Sequence, residues 1–217
     1  MAMTSSADST DRPAWRGRMH AGAFFVAIPA GIALVTVAER AAARTAASIY
    51  VISLLVMLGM SAAYHRLARS PSARRWMQRL DHAGIFVLIA GTYVPMTIVA
   101  MPLAWGIPVL SVVAGAALIG IVVKLSGFAR LQRAAYFLYP AMGWAVVIAL
   151  PVLFDNLTGL QFSLLVAGGL VYTSGIPVLV LRRPDPWPRV FGYHEVWHTF
   201  VVVAAALHFA AVASLLA

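Results

Sequence analysis

Long apolar stretches separated by short polar connections dominate the chain from residue 21 onward. Seven runs, approximately 21–38, 45–64, 82–101, 103–123, 134–154, 160–181 and 195–216, carry almost no charge. Each approaches the roughly twenty residues that an α-helix needs to cross hydrocarbon. A soluble helix would confine its apolar residues to one face, whereas whole stretches of helical length are apolar here. The pattern predicts an all-α, polytopic membrane protein with seven transmembrane helices, a polar tail over residues 1–20 and one helical domain over 21–217. The third and fourth runs are divided only by Met101-Pro102-Leu103 and Gly106-Ile107-Pro108, where both prolines favour a break. A cleaved leader is the alternative reading of the first run, with Ala41-Ala42-Ala43 as small residues for cleavage. Its apolar core is longer than a usual leader's and starts after about twenty residues, which favours an uncleaved anchor.

Composition agrees. Of 217 residues 62% are hydrophobic and 11% charged, and a mean hydropathy of +0.86 is far above what a soluble domain keeps in water. Cysteine is absent, which excludes disulfides, thiolate metal ligands and a cysteine nucleophile. The net charge of +9 gains meaning from its distribution. Arg12, Arg16 and Arg18 precede the first run, and Arg66, Arg69, Arg74, Arg75 and Arg79 follow the second. Lys124, Arg130 and Arg133 follow the fourth, and Arg182, Arg183 and Arg189 follow the sixth. With seven spans all of these fall on one side, and the other side holds Arg40 and Arg44 beside Glu39. The positive-inside rule then places the N-terminus in the cytoplasm and the C-terminus outside. The expected location is the plasma membrane, crossed several times, with membrane lipid as the neighbouring phase. No basic stripe with interleaved aromatics remains outside the spans, so no nucleic-acid partner is expected.

The polar chemistry gathers at one boundary. His65 ends the second run, Asp81 and His82 open the third, and His194 and His198 open the seventh. The topology, read from Arg and Lys alone, puts all of them at the cytoplasmic face. Ser61 and His65 are four residues apart, as are His194 and His198, so each pair lies on one helix face about 6 Å apart. Two imidazoles on adjacent turns and a third from another helix give the three-histidine, one-open-position set of catalytic zinc. His65, His194 and His198 are therefore the candidate metal ligands and Zn2+ the expected cofactor, although iron, nickel or copper could also bind such a set. The bland alternative is three interfacial histidines satisfied by carbonyls and water. His20 is assigned to the tail, and His208, far along the last run, to packing. His194-Glu195-Val196-Trp197-His198 also fits HExxH, in which the glutamate is a general base. A helix N-terminal role for Glu195 is the favoured alternative, since a carboxylate there complements the helix dipole.

Several further residues have structural readings. Pro95, Pro140, Pro151 and Pro177 are candidates to kink spans and open an inner cavity, although proline is common in membrane helices and an ordinary structural role is favoured; Gly115, Gly120, Gly168 and Gly169 are expected to allow close helix contact. Trp105, Trp144, Trp187 and Trp197 include candidate interface anchors.

Four segments together carry a family resemblance. These are Ser61-Ala62-Ala63-Tyr64-His65, Leu80-Asp81-His82-Ala83-Gly84-Ile85-Phe86, Ala90-Gly91-Thr92-Tyr93-Val94-Pro95, and His194-Glu195-Val196-Trp197-His198 followed by Ala206-Leu207-His208-Phe209. The combination resembles the bacterial hemolysin III family, which is similar to the progestin and adipoQ receptors and more distantly to alkaline ceramidases. The resemblance implies a seven-helix fold with zinc held by His65, His194 and His198 on the cytoplasmic side. It further implies that Asp81 is the acidic residue holding a water at the metal and Ser61 the serine beside the site. Glu195 is not required by the family pattern, and no substrate is implied.

Two function classes follow. One is a zinc-dependent hydrolase of a lipid amide or ester, with Asp81 accepting a proton from the attacking water and the Ser61 hydroxyl donating to the developing oxyanion. Its lipid substrate would enter the bundle sideways. The other is a non-enzymatic sensor or regulator of membrane state in which the metal clamps helices two, three and seven. The family resemblance implies a role in membrane homeostasis, whereas the residues carry no sign of pore formation. A transporter is disfavoured because the spans lack paired charges at mid-depth.

Overall fold

The computed structural model describes residues 13–216, so Arg12 and the remainder of the expected tail over 1–12 lie outside the described residues. Seven helices long and apolar enough to span a membrane account for nearly all of it. Helix α1 covers Arg18–Val37, α2 Ala41–Leu67, α3 Pro71–Pro95 and α4 Leu103–Ser126. The fifth span joins α5, Ala129–Trp144, through a 3-10 segment at Ala145–Ala149 to the short α6, Leu150–Asn156. Helices α7, Gly159–Leu181, and α8, Tyr193–Leu216, complete the bundle. The chain is thus a multi-pass, all-helical membrane protein, as its apolar pattern predicts.

Most spans extend a few residues beyond their apolar runs because local caps, not hydropathy, set their ends. Helix α3 begins at Pro71, eleven residues before its apolar run. The Ser70 hydroxyl accepts from Ala73 N–H at 3.1 Å, and proline at the first turn lacks only an N–H that would go unused. Helix α7 starts with a reciprocal box in which Thr158 and Gln161 each accept the other's backbone N–H, at 3.3 and 3.0 Å. Some prolines coincide with interruptions of the regular helix, whereas Pro108 and Pro177 lie inside α4 and α7, which continue through them. After Pro95 the third span continues as one π-helical turn, Met96–Ala100, before the break at Met101 and Pro102. The 3-10 segment of the fifth span lies between Pro140 and Pro151.

Neighbours in sequence pack as neighbours in space, α2 with α3 and α7 with α8 most extensively, and contact between α1 and α8 closes the ring. The largest apolar cluster runs through α1, α2 and α8, with Leu34, Tyr50, Met57, Leu58, Ala211 and Val212 almost fully enclosed. In lipid the hydrophobic effect does not drive helices together, so close packing through small residues must do so. Gly120 faces the Phe86 ring and Gly168 the His208 ring, both too near to admit a methyl group. The expectation fails for Gly115 and Gly169, which face open space. Gly91, unremarked in the sequence as a packing residue, sits against Ser53 where α2 and α3 pack together.

These contacts predict opposite results for two identical substitutions. Gly91→Ala is expected to force α2 and α3 apart, lowering stability by about 1–3 kcal/mol and the melting temperature in detergent. Gly115→Ala should leave that temperature unchanged.

Candidate metal centre

The last turn of α2 and the first two turns of α8 meet at one end of the bundle. His65 comes from the former, His194 and His198 from the latter. Helical spacing holds the His194 and His198 rings 4.5 Å apart, centroid to centroid, and His65 approaches them to 4.8 and 5.1 Å. One nitrogen from each ring lies within 4.8 Å of the others. His65 Nε2 and His194 Nε2 lie 3.2 Å apart. Zinc bound to imidazole at about 2.0–2.1 Å in a tetrahedron holds adjacent nitrogens roughly 3.3 Å apart. The His65 to His194 edge already has that span, and the remaining edges exceed it by no more than about 1.5 Å. His65 is 9% and His198 4% exposed, so the donors are screened from water. The residues present therefore fit a metal ion held by three nitrogens with a fourth position open.

Asp81 and Ser61 stand beside the triad, where the resemblance puts them. Asp81 Oδ2 lies 4.0 Å from His65 Nε2, beyond a direct hydrogen bond and suited to a bridging water. Ser61, one turn before His65 and 2% exposed, lies beside the Asp81 carboxyl. His82 does not join them. Its ring lies edge-on to Tyr136 at 5.7 Å, and its carbonyl accepts from Tyr139 Oη–H at 2.9 Å. His208 packs as expected, with its ring against Gly168 and Nε2 3.2 Å from the Leu165 carbonyl.

Glu195 resolves toward the helix end. It is 1% exposed, and Oε2 accepts the Gly192 N–H at 2.9 Å. Oε1 lies 2.6 Å from Arg16 Nε. Asp185 Oδ1 accepts the next N–H, that of Tyr193, at 2.8 Å. Two carboxylates thus accept the N–H groups of Gly192 and Tyr193 at the start of α8, and Glu195 is tied to that helix end and ion-paired with Arg16, as the dipole reading of HExxH expects.

Two residues at this end are not evident from sequence. Arg16 counts there only as a topology signal, and His20 is placed in the tail because the apolar run begins at residue 21. In the structure Gly17, with φ of 74°, lets the chain turn into α1 already at Arg18. His20 becomes a buried helical residue, 3% exposed, with its ring parallel to that of His198 at 3.9 Å. The available signal was position, since His20 shares the membrane boundary of the other site histidines.

Comparison with known proteins agrees with the resemblance. The family described as Haemolysin-III related matches residues 9–209. The chain is 33% identical to Hemolysin-3 of Bacillus cereus over 85% of this chain and 82% of that one. It is 32% identical to the Hemolysin-3 homolog of Bacillus subtilis, covering 75% of this chain and 73% of the relative. Identity is 34% to the heptahelical transmembrane protein ADIPOR2 of Oryza sativa, over 77% and 80% of the two chains.

The Arg16 and Glu195 pair carries a prediction. Arg16→Ala leaves a buried carboxylate half-partnered, at an expected cost of about 2 kcal/mol. That is below the range for fully buried pairs because the Arg16 side chain is 22% exposed. Metal content by elemental analysis should stay at the wild-type value, whereas His194→Ala should abolish it.

Proposed function

The chain belongs to the haemolysin-III-related family, and on that premise we propose that it is a zinc-dependent hydrolase of a lipid amide or ester. The observation that carries the reading is three imidazoles from two separated helices, with Asp81 and Ser61 on the side of His65. Bound there, zinc would supply Lewis acidity and a water acidic enough to ionise near neutral pH. His65, His194 and His198 would hold the ion as neutral donors. Asp81, poised about one water's width from His65, would orient a water and accept its proton. Ser61 would donate its hydroxyl hydrogen bond to the oxygen on which charge develops. Low exposure strengthens each of these interactions by excluding bulk water. An acyl lipid fits such a site because its carbonyl lies near the headgroup boundary, at the depth of these side chains.

A second reading is that the metal is a clamp in a sensor or regulator of membrane state. It is favoured by the way His65 and the α8 pair join helices remote in sequence, and by a relative named as a receptor, the adiponectin receptor protein of Drosophila melanogaster, 29% identical. Relatives named hemolysins raise lysis as a third reading, with no site feature to support it. We place the triad at the cytoplasmic face of the plasma membrane on the strength of the basic loops.

Two measurements test these proposals. Zinc-loaded protein in lipid nanodiscs should release fatty acid from a ceramide-like or ester lipid. Asp81→Asn should keep the metal and lose at least about a hundredfold in rate. Wild-type protein that holds zinc but turns over nothing in a broad lipid panel leaves the clamp. For orientation, the absence of cysteine permits single-site labelling of intact cells. Glu39→Cys should react with an impermeant maleimide and Ser72→Cys should not.

A further inference from the structure

Resting on the reading of the triad as a zinc site, we infer that His20 is a positioning residue of the same centre, holding the plane of the His198 imidazole. Three observations carry this. The two rings are stacked at 3.9 Å with planes only 5° apart, so the flat face of His20 covers the flat face of a ligand. His20 is 3% exposed, and among the described residues neither of its ring nitrogens has a hydrogen-bond partner. With no hydrogen bond to hold it, the ring's close polar neighbour is the His198 imidazole that it covers.

The third observation is how the chain is led there. At Gly17 a side chain would fall 2.6 Å from His65 Cβ and 3.1 Å from Arg66 Cγ, so the backbone runs directly over the base of a ligand. Arg16 grips Glu195, the neighbour of His194. Arg16, Gly17 and His20 therefore each reach a ligand or the residue beside one. The entry to α1 forms a strap across the centre that fixes His20 on His198.

The same geometry argues against His20 as a fourth ligand. Imidazoles bind metal through lone pairs in the ring plane, so two that share an ion have planes that meet at it. Two nearly parallel planes, with ring centroids 3.9 Å apart, do not converge on a shared ion. His20 acts instead on the ring that binds. Residues that orient a ligand without touching the metal commonly change affinity by 10–100-fold.

The test uses full-length protein stripped with a chelator and titrated with zinc against a chromophoric competitor, and with cobalt(II) to read the ligand field. His20→Leu fills the space without a flat ring and is expected to weaken zinc about tenfold or more and shift the cobalt absorption bands. His20→Phe restores the flat face without nitrogens and should return both to near wild type. A structural role in the bundle alone would lower the melting point of the metal-free protein without moving the cobalt bands. Wild-type affinity and bands in His20→Leu would overturn the inference, as would His20→Phe behaving like His20→Leu. Wild-type protein that takes up no metal would overturn the zinc reading together with it.

Discussion

Hydrocarbon offers a polar side chain no solvent partner, and that constraint governs where this molecule keeps its chemistry. A charged or hydrogen-bonding group within the bilayer must find a protein partner or sit at the boundary. Arg16 with Glu195, Ser61 with Asp81 and His65 with His194 do both, at one end of the bundle. The site is therefore a place where the ends of helices supply one another with partners. The arrangement also bears on a cation. Helices α1 and α8 both begin at this end, and each N-terminus carries partial positive charge that would oppose a metal ion. Glu195 and Asp185 lie on the α8 terminus and Asp81 faces His65, so carboxylates offset the charge that the backbone places there.

Much of this was legible in the sequence, because the strongest signals are one-dimensional. Twenty apolar residues in a row mean a span whatever the tertiary packing, and basic loops mark one side. The i, i+4 pairs Ser61 with His65 and His194 with His198 are set by helix pitch alone, so the triad followed once topology placed both pairs at one boundary. What was lost depends on facing. Gly115 and Gly120 look alike in sequence, but five residues along a helix turn them to different sides, one to open space and one to Phe86. His20 was hidden for a different reason. Hydropathy locates where a segment becomes apolar, whereas a helix begins where its cap allows, here at Gly17.

The irregular spans complete this picture. The π-helical turn after Pro95 and the 3-10 segment between Pro140 and Pro151 lie in the third and fifth spans, away from the ligand-bearing turns of α2 and α8. Those turns are regular, and an undistorted helix is what gives the His194 and His198 rings their fixed separation. Deviations of the backbone are thus spent where no ligand distance depends on them.

The ring of spans closes with α1 beside α8, and the contacts at Arg16 and His20 show that these two run in the same direction. An odd number of crossings makes that possible, and it has an evolutionary corollary. Tandem duplication of the gene would start the second copy from the opposite side of the bilayer, inverting its metal centre relative to the first. A fused pair with both centres on one side would need an extra crossing between the halves, and circular permutation would need one to bridge the old termini.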